Sequence, residues 1–172
     1  MSISLYTTSV SNYLQTLDAV SSVLSKGAEH AANEGIDMAE LLATRLRDDM
    51  LPFSFQVISV VHHSRGAIEG AQAGVFTPPP SLDLDYAGLQ ALVADAAAFL
   101  RGLEKQDIDA LEGKAMKFKM GDFEIPFSAE DFLLTFSLPN FYFHATTTYS
   151  ILRMLGTPLG KMDFLGAMRV AS

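Results

Sequence analysis

Apolar side chains recur along the first thirty residues at the spacing of a helix with one buried stripe. Tyr6, Val10, Tyr13, Leu14, Leu17, Val20 and Leu24 fall three or four positions apart, so a long amphipathic helix is predicted from about Ser4 to Asn33. Gly35 stops it, and Asp37 is placed to cap a short helix through about Arg45, with Met38, Leu41, Leu42 and Leu46 turned inward. Pro52 suits the first turn of a second long helix, where a missing N–H costs nothing. That helix is predicted to run to about Gly74 through Phe53, Val57, Val61, Ser64, Ile68 and Ala71. Its small residues Ser64, Gly66, Ala67, Gly70 and Ala71 allow a neighbour to approach closely. Pro78-Pro79-Pro80 cannot continue a helix and marks an exposed connector within the domain.

A third helix follows from about Tyr86 to Lys105, with Leu89, Leu92, Val93, Ala96, Phe99, Leu100 and Leu103 on its inner face. The period then changes from three-and-four to two. Met116–Met120 and Phe123–Phe127 alternate on either side of Gly121-Asp122, the pattern of a hairpin, and Pro126 restricts its strand to a sheet edge. Ser128 reads as the cap of a short helix to about Ser137. Pro139 is expected to open a separate last long helix through Arg153 to Gly156, and the tail 157–172, carrying Phe164 and Leu165, to fold back. Four long stripes, each too wide for a single partner, predict an all-α four-helix bundle with the hairpin inserted before the last helices.

The chain of 172 residues fits one domain, 1–172, large enough to fold without a disulfide or metal. Twelve Lys and Arg against twenty Asp and Glu leave a formal charge of −8. Such a surplus repels nucleic-acid phosphate and anionic membranes, and the one basic cluster, Lys114, Lys117 and Lys119, is flanked by Glu112 and Asp122. No apolar run approaches the ~18 residues of a membrane span. The opening lacks a basic stretch followed by an apolar run, so a signal peptide is not expected and a cytoplasmic location is. The absence of Cys removes disulfides, thiolate metal sites and Cys nucleophiles.

Candidate chemistry therefore rests on four histidines: His30, His62, His63 and His144. His30, at the end of the first helix between Glu29 and Glu34, reads as solvated. On an α-helical wheel His62 shares a face with Phe55, Ile58, Arg65 and Glu69, while His63 shares one with Gln56, Ser59, Ala67 and Gly70. His62 is thus either one wall of a polar pocket or a core-edge ring bonded to a backbone carbonyl or to Glu69. His144 lies among aromatic residues, and a buried imidazole there needs a partner, for which Thr148 is in reach along the helix. The carboxylate pairs Asp48/Asp49 and Glu130/Asp131 flank helix boundaries, where caps and the helix dipole explain them. There is no Gly-rich phosphate loop, nucleophile elbow or H-E-x-x-H.

The stretch Leu138-Pro-Asn-Phe-Tyr-Phe-His-Ala-Thr-Thr-Thr-Tyr-Ser-Ile-Leu-Arg153, with Gly156 and Lys161-Met-Asp-Phe-Leu-Gly166, resembles the signature of an uncharacterised bacterial and fungal family. Leu51-Pro-Phe-Ser-Phe-Gln-Val57 resembles it too. That family is a domain of unknown function within the DinB/YfiT-like superfamily of four-helix proteins, frequently dimeric, whose characterised members include metal-dependent thiol transferases and a thiol-dependent isomerase. The resemblance implies a metal held by one His of the second helix and two of the last, four apart. Carried onto this chain, His62 (or His63) and His144 match, and Thr148 stands where the second His of the last helix is expected. The implied site is then His62 and His144 with water or a carboxylate such as Glu69, holding Zn²⁺ or Ni²⁺. Three readings follow. One is a small-molecule pocket around His62, His63, His144 and Thr148; another is a divalent-metal enzyme; the third is a non-catalytic, homodimeric interaction protein.

Overall fold

The computed structural model describes residues 3–170, so Met1 and Ser2 of the opening and residues 171 and 172 of the tail lie outside it. The chain is mostly helical, with a small three-stranded sheet. The first apolar stripe forms two helices, α1 (Leu5–Thr8) and α2 (Val10–Glu34). They part at Ser9, whose hydroxyl donates to the Leu5 carbonyl, a local bond that competes with the helix ladder. Asp37 caps α3 (Met38–Ala43) through two backbone N–H groups. Helix α4 (Phe53–Val61) does not continue as a regular helix: a π-turn (His62–Gly66) widens it before α5 (Ala67–Ala73). Gly74 ends α5 in the left-handed region at φ 76°, which turns the chain into β1 (Val75–Phe76).

Helix α6 (Tyr86–Arg101), capped by Asp85, ends four residues earlier than the sequence reading placed it, and a one-turn helix α7 (Lys105–Asp109) follows. Strands β2 (Ala115–Met120) and β3 (Phe123–Ser128) pair antiparallel around Gly121, which sits at φ 62°. Pro126 lies on β3, an edge of the sheet, where its missing donor is harmless. The strand pattern did not foresee β1, which joins β2 in parallel through Val75–Lys117 and Phe76–Phe118.

Ser128 caps α8 (Ala129–Asp131), and a second π-turn (Phe132–Ser137) runs without a break into α9 (Leu138–Met154). The expected interruption at Pro139 is therefore absent. The widened turn accommodates the missing Pro139 N–H, and Asn140 Nδ2 donates to the Phe136 carbonyl one turn back. The tail folds back as α10 (Lys161–Leu165) against α2, with Gln15 Nε2 donating to the Leu165 carbonyl at 2.9 Å.

The core lies where α2 meets α6 and α9, and where α4 meets the same two helices. Phe53 and Tyr86 stack at 5.9 Å, and Tyr13 meets Phe141 edge-on at 4.9 Å. The α2–α6 and α2–α9 contacts close over Gly27. A methyl there would stand 2.6 Å from Tyr86 Oη and 2.9 Å from a Leu152 methyl. Tyr86 Oη donates to the Leu24 carbonyl, so it cannot retreat without losing that bond. Gly27→Ala is accordingly expected to lower stability by about 1–2 kcal/mol, overpacking outweighing the helix-propensity gain. Thermal unfolding reads this directly, and a rise in Tm would contradict the packing described. Among the described residues no helix is long and apolar enough to cross a membrane.

Candidate functional site

The two π-turns pack together. Ser137 Oγ, at the end of the second, donates to the His63 carbonyl in the first at 2.9 Å. A widened turn lowers the rotation per residue, so His62 and His63 diverge less than on an α-helical wheel. The result is a row of three imidazoles. His62 and His63 ring centroids are 5.5 Å apart, and His63 and His144 lie near-parallel at 5.8 Å. His63 is thus the second-helix ring that stacks on His144, whereas the resemblance put His62 first for that place.

Each ring has a defined environment. His62 stacks on Phe76 at 4.3 Å, and its Nε2 lies 2.7 Å from the Thr77 carbonyl. A carbonyl only accepts, so Nε2 carries the proton and Nδ1 is the open lone pair. His144 Nδ1 lies 2.7 Å from Gln56 Oε1. The Gln56 amide is oriented by its Nε2, which donates to the Leu51 carbonyl at 2.8 Å. His144 therefore carries its proton on Nδ1. Its partner is Gln56, eighty-eight positions away, and not Thr148, whose buried hydroxyl has no hydrogen-bond partner. His63 is 8% exposed, and its buried Nδ1 is likewise without a partner.

Burial pushes all three rings toward the neutral form. Desolvation, with His62 and His144 as neighbours, depresses His63 from 6.5 to about 3. Desolvation and His62 lower His144 to about 4, and desolvation also lowers His62 against a raising pull from Thr77. His30 stands apart from this row. It is half-buried rather than fully solvated as expected, because Gly156 brings the turn after α9 against it and its Nε2 meets the Leu155 carbonyl at 3.1 Å.

Two pockets open on either side of His62. One, of about 140 Å³, is lined by His62, His63, Phe76, Phe118 and Phe136 under Pro78 and Pro79. The other, of about 190 Å³, lies toward Arg65, Gly66 and Glu69. Gln56, Phe76, Phe118 and Phe136 are site residues that the sequence reading missed. Gln56 had been placed on the His63 face, and a polar residue on the apolar second helix was the one signal for it. Phe76 and Phe136 reach the site only through the sheet and the second π-turn.

The residues present do not fit the implied metal centre. Among the described residues no three His, Asp or Glu side chains are grouped to hold an ion. Glu69 Oε1 pairs with Arg65 Nε at 2.9 Å, while His144 is bonded to Gln56 and stacked on His63. His62, Glu69 and His144 are thus not brought together as a ligand set. The basic cluster is also engaged, since Lys117 and Lys119 both pair with Glu124 on the neighbouring strand.

The model for a domain of unknown function, DUF1993, matches residues 5–165. No curated protein matches the chain. Among solved structures, the chain is similar to a DinB family member protein from Shewanella denitrificans, known from a crystal structure at 1.83 Å resolution. The two are 24% identical with a TM-score of 0.79, over 98% of this chain and 95% of the other, a likeness of fold. The chain belongs to the DUF1993 family, and its fold is similar to that of a DinB family member.

Proposed function

We propose that this protein binds a small, uncharged molecule beside the imidazole row, on a helical frame that works as a four-helix bundle. The observation that carries the reading is the pocket of about 140 Å³ between His62, His63 and three phenylalanines. Neutral imidazoles and aromatic walls offer hydrogen bonding and flat contact without net charge. A cavity of ~150 Å³ accepts a benzene-sized molecule, so the fitting ligand is one small ring or its equivalent, far short of a nucleotide. Pro78 and Pro79 roof the pocket, and their fixed φ holds that roof at low entropic cost.

Titration with phenol, toluene and indole, followed by NMR of the aromatic rings, tests the reading. At least one probe is expected to bind at millimolar concentration or better and to shift Phe76, Phe118, Phe136 and the His62 and His63 rings. Absence of shifts in those rings with all three probes would overturn it.

A further inference from the structure

The pocket on the far side of His62 has a chemistry of its own. Its apolar wall comes from Ile58, Val61, Leu82 and Leu92, and Pro79 and Pro80 close it. Gly66 sits in the π-turn directly below the imidazole. A Cβ at Gly66 would lie 3.1 Å from His62 Nδ1, so the missing side chain leaves a notch against that nitrogen. The Thr77 carbonyl fixes the proton on Nε2, and Nδ1 is left as an acceptor with no protein partner.

We propose that this pocket binds a small neutral hydroxyl compound with an apolar body, its O–H donating to His62 Nδ1 through the Gly66 notch. This goes beyond the small-molecule reading above, whose pocket of about 140 Å³ lies on the other side of His62, and shares with it the His62 ring. The rim gives a charged ligand no net advantage, since each sign meets a like-charged group there. A carboxylate would face the Nδ1 lone pair and the Glu69 carboxylate. An ammonium would face Arg65, whose guanidinium lies 4.7 Å over the Phe99 ring and whose Nε is held by Glu69. The Arg65–Glu69 pair carries no net charge, so the rim attracts neither sign strongly. At about 190 Å³ the pocket accepts one six-membered ring with a hydroxyl group.

The test compares phenol, toluene and benzoate on the full chain at neutral pH, with ¹⁵N imidazole spectra assigning the His62 tautomer. His62 is expected in the Nε2–H form, with its Nδ1 signal shifting on phenol addition. Phenol is expected to bind about three- to tenfold more tightly than toluene, the worth of one neutral hydrogen bond, and benzoate more weakly than either. Gly66→Ala should fold, since alanine suits a helix interior better than glycine, and should remove that preference for phenol by covering Nδ1. His62→Phe gives a second variant, which keeps a ring and lacks the acceptor. An Nδ1–H tautomer, equal binding of phenol and toluene, or an unchanged phenol preference in both variants would overturn the hydroxyl assignment while leaving the pocket reading intact. No binding by any probe would overturn both.

Discussion

Acidification from about pH 7.5 to about pH 5 is expected to remove about 2 kcal/mol of folding stability through His63 alone. The sign follows from the direction of the shift. His63 binds its proton near 6.5 when exposed but only near 3 in the folded chain, where burial and two neighbouring imidazoles oppose the charge. Its contribution is fully present above about 6.5 and is lost progressively as pH falls toward about 3, because the unfolded chain takes up the proton first. His144, lowered to about 4, adds a loss of the same sign, smaller because its ring is partly solvated. The carboxylates held low by their partners, Asp109, Glu124, Glu130 and Asp163, act in a more acidic range, so about pH 5 isolates the histidines. Urea unfolding at the two pH values measures the loss. His63→Leu, which fills the site without a titrating group, should shrink the pH difference by about 2 kcal/mol. An unchanged difference in that variant would contradict the burial of a neutral ring.

The second large effect is expected at Phe132, in the second π-turn. Its side chain is fully buried and joins two strands of the sheet to the second π-turn: Phe76 of β1 at 5.0 Å, Phe127 of β3 at 5.8 Å, and Phe136 at 5.6 Å. Phe132→Ala removes a whole ring from this junction and should cost about 3–5 kcal/mol, with a fall in Tm of about 10 °C. Phe143, 56% exposed on α9, supplies the control, and Phe143→Ala should change stability by no more than about 0.5 kcal/mol. A loss below about 1 kcal/mol at Phe132 would mean that the sheet is not fastened to the helices through this cluster.

The local signals in the sequence marked most of the helices and the hairpin. Asp37 and Ser128 cap where a short polar side chain precedes an apolar run, and Gly121-Asp122 turns the hairpin between two alternating segments. These are interactions between residues a few positions apart, and composition and spacing expose them. The π-turns were illegible for the opposite reason. One extra residue in a helical turn leaves the apolar period nearly intact, so the wheel assigned His62 and His63 to separate faces. Long-range pairings were equally hidden. Nothing adjacent to Val75-Phe76 announces a partner forty residues on, and nothing around His144 announces Gln56. The candidate site was legible as a set of residue types, His62, His63 and His144, but not as an arrangement. The expected partners Thr148 and Glu69 lie close in sequence, whereas the observed ones come from other elements or, for Glu69, from Arg65 one turn away.

A row of imidazoles that favours the neutral form runs from the first widened turn, through His62 and His63, to His144 on α9. The most direct test is an NMR titration of the individual histidine rings between about pH 7.5 and about pH 5. The account predicts that His63 and His144 stay neutral across that range, heading toward midpoints near 3 and 4. Ordinary titration of both rings near 6.5 would contradict it.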